Sequence, residues 1–181
     1  YELGVHIADV SYYIKEGSPL DLEAQERSTS IYPYNYVVPM LPHNLSNGIC
    51  SLNPNEERMA FSCIMEISTN GDIINYNFVN TIIKSKLKME YEKINKIFDI
   101  CNPIVYPEYE EFKTDLAIML ELSEILNQKK IERGYVCFGD REIKFTDENG
   151  NPVGIKRRQR GIAEKMIENF MLSANECAAE L

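Results

Sequence analysis

A chain of 181 residues, 44% hydrophobic and 26% charged, can bury one core of ordinary domain size and carries too many charges for a membrane protein. Its longest apolar runs fall well short of the roughly 20 residues that a membrane span requires, and no basic-then-apolar leader with a small-residue cleavage site is visible. With 19 Lys and Arg against 28 Asp and Glu, the net charge of −9 keeps the surface as a whole from attracting a polyanion, so any nucleic-acid role must rest on a local channel.

In chain order, Leu3, Val5 and Ile7 alternate with Gly4 and His6, predicting a strand that ends near Asp9. Gly17-Ser18-Pro19 breaks the chain before a short helix over Leu20–Arg27, capped by Ser18 or Asp21. From Ile31 to Asn55 the sequence is rich in proline and lacks periodicity. It reads as ordered but non-regular, because a polar linker would not carry Val37, Val38, Met40, Leu41 and Leu45. Phe61, Cys63, Met65 and Ile67 alternate up to Thr69-Asn70-Gly71-Asp72, and Ile74, Tyr76 and Phe78 alternate after it. That pattern predicts a hairpin with a tight primed turn at Asn70-Gly71. A short helix over Tyr91–Ile100 and a break over Asn102–Pro107 lead to a long helix, Tyr109–Glu132. Its expected buried stripe is Phe112, Leu116, Met119, Leu120 and Leu126, and Gly134 stops it. A second hairpin is expected from Val136–Phe145 and Val153–Lys156 around Asp147-Glu148-Asn149-Gly150. A final helix, Ile162–Leu181, would place Ile162, Met166, Phe170 and Ala174 on one face.

Local chemistry is sparse. The five cysteines, at 50, 63, 101, 137 and 177, form no CxxC pair and sit in apolar patterns, which reads as reduced, mostly buried thiols in a cytoplasm. His6 and Asp9, three apart on a strand, point to opposite faces. Asp9 is better read as bonding the turn that follows than as half of a metal or acid/base pair. His43 has no HxH, HExxH or DxD pattern to recruit it, and there is no phosphate-cradling glycine loop and no GxSxG. The basic run Lys156, Arg157, Arg158 and Arg160 fits either a solvated face or a phosphate track.

Four segments, in order, carry a resemblance: GVHIADVSYYIKEGSPLDLEAQERSTSIY, VVPMLPHNLSNGICSLNPNEERMAFSCIMEI, RGYVCFGD and AEKMIENFMLSANECAA. Together they resemble the RNB catalytic domain of the ribonuclease II and ribonuclease R exoribonucleases, from residue 3 almost to residue 181. HIADVSYYI and VVPMLP lie nearer the bacterial ribonuclease R style. The resemblance implies an α/β (α+β) fold with a mixed, mainly antiparallel sheet and helices packed on it. It implies processive 3′-to-5′ hydrolysis of RNA to nucleoside 5′-monophosphates with Mg2+, in the cytoplasm, with single-stranded RNA held in a local channel. The alternative is a non-catalytic RNB-like module that binds RNA or a protein.

In that family an aspartate motif just upstream of the GVHIADVS strand holds the metal ions, and a downstream arginine clamps the scissile phosphate. Neither matches a segment here, so residues 1–181 are expected to form the central part of one RNB domain. Alone, that part should release no nucleotides and bind magnesium weakly, and its uncovered apolar surface should favour self-association or partial disorder.

Carried over residue by residue, Tyr32 resembles the tyrosine that packs on the 3′-terminal nucleotide, although Pro33-Tyr34 follow it where the family has an apolar residue and then proline. Its competing reading is a loop-anchoring aromatic. Phe138 resembles the aromatic that closes the stack from the other side, against a reading as an inward strand residue. Glu168 resembles a glutamate that contacts the terminal sugar, where a carboxylate accepting from the 2′-OH favours RNA. A solvent-exposed helix glutamate is the alternative. Asp9 is expected at most to support the missing aspartates from beside them. Arg27, Arg158 and Arg160 are candidates for phosphate contact.

Overall fold

The computed structural model describes residues 1–33, 36–136, 143–148, 151–157 and 160–181. Strand β1 spans Glu2–Ala8, β2 Glu57–Ile67 and β3 Ile73–Lys84, and they pair antiparallel in the order β1-β2-β3. The register sets Val5 opposite Cys63 and Cys63 opposite Phe78, so the odd-numbered alternation of β1 and β2 falls on one face. That face carries Val5, Cys63, Met65 and Ile67 into the core. The only parallel pairing among the described residues is the isolated bridge Pro54–Ser85.

Helices close the core. After α1 (Val10–Tyr13) and α2 (Pro19–Arg27) at the start of the chain come α3 (Tyr91–Ile97), α4 (Lys113–Glu132) and α5 (Ile162–Ala179). Leu116, Leu122 and Leu126 of α4 and Ala163, Met166, Phe170, Ala174 and Cys177 of α5 share one cluster with the sheet residues, Ile94 and Tyr109. Each large side chain sealed there contributes about 1.5–3 kcal/mol relative to exposure. No helix among the described residues is long and apolar enough to cross a membrane.

Several boundaries and faces differ from the sequence reading. The first hairpin turns through Ser68–Asp72 rather than a two-residue primed turn. Gly71 N donates to Ser68 O and Ser68 N to Asp72 O, and Gly71 alone in the loop has positive φ, +78°. The long helix begins at Lys113, because Pro107–Phe112 forms a 3-10 segment first. Its stripe also includes Leu122 and the buried Ser123, while Leu120 is only partly covered. On α5 the face starts at Ala163, since Ile162 lies outward, and it includes Asn169 and Ser173. Helix α3 stops at Ile97. Asp147-Glu148 belong to strand β4 (Ile143–Glu148), which pairs with β5 (Asn151–Arg157) in a separate two-stranded sheet. The turn residues 149–150 of that hairpin lie outside the described residues.

The segment after α2 is less irregular than its prolines suggest. Ser28 ends α2 at φ +59°, Ile31 and Val38 exchange both backbone hydrogen bonds at 2.9 and 2.8 Å, and Ser30 Oγ accepts from Met40 N at 2.9 Å. Asn44–Ile49 then forms a π-helical turn, with Cys50 N donating to Leu45 O at 3.0 Å. Of the apolar residues read as anchors, Val37 and Val38 are exposed and Met40, Leu41 and Leu45 half-buried.

Cys50, Cys63, Cys101 and Cys177 are free thiols, and all but Cys101 are buried. Burial first, and then the Cys63 thiol beside it, raise Cys177 from the ordinary 9.0 to about 11. Cys137 lies outside the described residues.

Candidate nucleic-acid interface

The opening strand delivers its two polar residues to different tasks. Asp9 ends β1 and caps α1: its Oδ1 accepts from Tyr12 N at 3.0 Å and Ser11 Oγ at 2.6 Å, while its own N–H donates to Met59 O at 3.1 Å. His6, on the sheet face away from the core, has Nδ1 2.7 Å from Ser62 Oγ, which lies 2.5 Å from Thr81 Oγ1. Thr81 Oγ1 also lies 3.2 Å from Ala60 O, so the three side chains and the strand backbone form one hydrogen-bonded relay. A serine nucleophile needs its proton directed at the imidazole and its oxygen in reach of substrate. Ser62 is 0% exposed, with its oxygen out of reach of any substrate, so this relay is structural. Gly4 leaves room for it, since a Cβ there would stand 2.8 Å from His6 Nε2.

Tyr32 follows the Ile31–Val38 bridge and is 75% exposed, a ring offered to solvent from a clamped base. Arg27 helps fasten that base: its Nε pairs with Glu23 at 2.7 Å, and Nη1 donates to Pro39 O at 3.2 Å. Leu20, Arg27 and residues Pro39–His43 line a hollow of about 160 Å³ beneath it, which is where His43 sits.

Glu168 is not a lone surface carboxylate. Arg160 Nη1 donates to its Oε2 at 3.0 Å, and Lys130 Nζ from the end of α4 lies 3.7 Å from its Oε1. The same ammonium donates to Asn169 Oδ1 at 3.0 Å and stands 4.3 Å from the centre of the Tyr135 ring. Asn169 is buried, and its amide completes the network by donating to Ser123 O at 3.1 Å. The end of α4 is a Schellman turn: Tyr135 N donates to Lys130 O and Gly134 N to Ile131 O, with Gly134 at φ +91°. At the other end of the site, α5 is capped from α3. Asn95 Oδ1 accepts from Ala163 N at 2.8 Å, and Glu164 accepts from Asn95 Nδ2 at 2.8 Å and Gly161 N at 3.0 Å.

Lys156 and Arg157 are exposed on β5, while Phe138 and Arg158 lie outside the described residues. Sequence reading missed Lys130, Asn169, Ser123 and Asn95. The available signal was polar residues sitting on apolar stripes, at 123 on α4 and at 169 and 173 on α5. Such residues persist in a core only when a partner satisfies them.

Among the described residues no three His, Cys, Asp or Glu side chains converge to hold a metal. The one buried carboxylate near the expected catalytic strand among the described residues, Asp9, has Oδ1 committed to its cap, so the described residues do not fit a magnesium centre.

Similarity to known proteins spans the whole chain. The RNB domain matches residues 1–181. "Ribonuclease R 1" of Lactococcus lactis is 49% identical over 99% of this chain and 22% of its own length. Ribonuclease R of Thermotoga maritima is 48% identical over 100% of this chain and 26% of its own. The chain thus spans about a quarter of the length of these relatives. Ribonuclease R of Mycoplasma genitalium, solved with ribose-methylated single-stranded RNA, superposes with a TM-score of 0.86 at 32% identity, covering 97% of this chain and 27% of that one. The antiparallel sheet and its helical cover are therefore a shared fold, and the chain belongs to the RNB domain family.

Proposed function

We propose that the full-length protein is a processive 3′-to-5′ exoribonuclease that hydrolyses RNA to nucleoside 5′-monophosphates, and that these 181 residues form the part of its RNB domain that holds the RNA. The observation that carries the reading is the unbroken match of residues 1–181 to the RNB domain, together with 49% identity to a ribonuclease R. The likeness to ribonuclease R in complex with single-stranded RNA supports RNA as the ligand. Magnesium is the ion proposed for the full-length protein, held by carboxylates outside the set described above. A cytoplasmic site of action is supported by the free thiols Cys50, Cys63, Cys101 and Cys177.

In this reading the exposed Tyr32 ring stacks on a base near the 3′ end, which requires no sequence readout and is worth about 1–3 kcal/mol per stacked base. Phe138 grips from the opposite side. Glu168 accepts from a ribose 2′-OH, since a carboxylate has lone pairs to spare beyond its two cationic partners. Lys156, Arg157, Arg158 and Arg160 lie along the phosphates and offset the acidic exterior locally. Arg27 acts by holding the Tyr32 loop through Pro39 O, and Asp9 by fixing the turn that leaves β1. Exposed apolar side chains on the second hairpin, including Ile143, Val153 and Ile155, support self-association of these residues when isolated.

The test is full-length protein with magnesium and a 5′-labelled single-stranded RNA. Progressive shortening from the 3′ end with release of nucleoside 5′-monophosphates is expected. Tight binding without shortening would replace this reading with the non-catalytic RNA-binding module.

A further inference from the structure

A polar cluster centred on Lys130 lies beside the proposed RNA-holding residues, and the proposed function leaves it without a role. Lys130 is one of two lysines in the last turn of α4, with a side chain only 14% exposed. An ammonium so far out of water must have its donors and charge matched locally. Here the partners come from three places: Asn169 Oδ1 at 3.0 Å, Glu168 Oε1 at 3.7 Å, and the face of the Tyr135 ring at 4.3 Å. Two of these are adjacent residues of α5, and Glu168 is the residue proposed to meet the ribose. The third, Tyr135, follows the end of α4 and is held there by its N–H on the Lys130 carbonyl at 3.2 Å.

Lys130 is itself held from below. Asn169 Nδ2 donates to the Ser123 carbonyl about two turns back along α4, so the ammonium is fixed to a buried amide and not to a mobile surface group. Charge adds a second constraint. A lone carboxylate in a phosphate channel would repel the ligand. Lys130 and Arg160 both flank Glu168 and offset its charge, which lets it accept from a sugar hydroxyl beside phosphates.

We propose that Lys130 is a positioning residue for ribose recognition, holding the Glu168 carboxylate in place and tying it to the Tyr135 segment, so that RNA is distinguished from DNA. The proposal rests on the reading of Glu168 as the sugar contact, and the experiment separates the two. Full-length protein is titrated, in EDTA so that no cleavage occurs, with matched single-stranded RNA and DNA of one sequence. The readout is the ratio of the two Kd values. Glu168→Gln, which weakens the acceptor, should lower the RNA preference. Lys130→Met should lower it too, by about tenfold, the equivalent of one charge-assisted contact, with DNA binding changing much less. Lys130→Arg should restore most of the preference, and Lys130→Met combined with Glu168→Gln should be no worse than the poorer single variant.

If Lys130→Met weakens RNA and DNA equally, or only lowers Tm, the lysine is a fold element and the proposal falls while Glu168 keeps its role. If Glu168→Gln leaves the ratio unchanged, Glu168 does not meet the ribose and both readings fall. Should Lys130→Met not fold, Tyr135→Leu removes the ring from over the ammonium without touching Glu168. A lowered RNA preference there supports the proposal, and an unchanged one overturns it.

Discussion

The two halves of the proposed RNA grip are built on opposite principles. Around Glu168 the side chains are fixed by a network reaching into the core, through Lys130 to the buried Asn169 and on to Ser123. Around Tyr32 the order is in the backbone: a single bridge, Ile31–Val38, and the Arg27 bond to Pro39 O clamp a loop whose ring remains 75% exposed. A network of buried polar groups is intolerant of change because each lost partner strands another. A backbone clamp under an exposed ring lets the ring be altered with little cost to the fold. Geometry on the first side is thus tied to stability, and on the second side it is nearly independent of it.

Breaking the helical half should therefore have the largest effect. Phe170→Ala, in the buried face of α5, is expected to cost about 3–5 kcal/mol in urea unfolding. A loss below about 1 kcal/mol would mean that α5 does not seal this core. Gly161→Ala comes next. A Cβ there would stand 2.2 Å from Asn95 Nδ2, so the amide that caps α5 must move, at about 1–3 kcal/mol. Pairing it with Asn95→Ala tests the mechanism, since the second change should remove most of the penalty of the first.

A milder probe of the same half is alkaline pH. Cys177 stays protonated in the folded protein to about 11, whereas in the unfolded chain it ionises from the ordinary 9.0. Its contribution is complete below pH 9 and is lost as pH rises through about 11. Stability measured against pH should fall across that window, and less steeply in Cys177→Ala. Equal slopes would show that other groups control the loss.

The smallest stability effect belongs to the other half. Tyr32→Ala should change unfolding free energy by no more than about 0.5 kcal/mol. In the full-length protein the same change should lengthen the final RNA product. A destabilisation like that of Phe170→Ala would erase the contrast between the two halves, and an unchanged end product would remove Tyr32 from the grip.

Much of this was legible in local pattern. Alternation placed β1 and the β2–β3 hairpin, and Ser18 and Gly134 marked helix ends where the structure has them. The Asp9 side chain bonds the turn after its strand, as its position suggested. The misreadings have a common cause. Ser123 and Asn169 looked like interruptions of apolar stripes because hydrophobic periodicity reports which face turns inward and is silent about polar groups satisfied there. The Asn70-Gly71 turn failed for a related reason: the loop closes between Ser68 and Asp72, and only Gly71 needs the left-handed region.

The sequence by itself determined the family, the strands of the main sheet, the four longer helices, and which residues resemble RNA contacts, because those are properties of short segments and their order, whereas the short helices at Val10–Tyr13, Asn44–Ile49 and Pro107–Phe112 were not legible. Only the tertiary structure decided that Glu168 is a held carboxylate and not a solvated one. Lys130 and Asn169 are 39 residues apart, and Ser123 and Asn169 are 46 apart. Their interaction exists only once α4 and α5 pack side by side, where burial turns each hydrogen bond from optional into required.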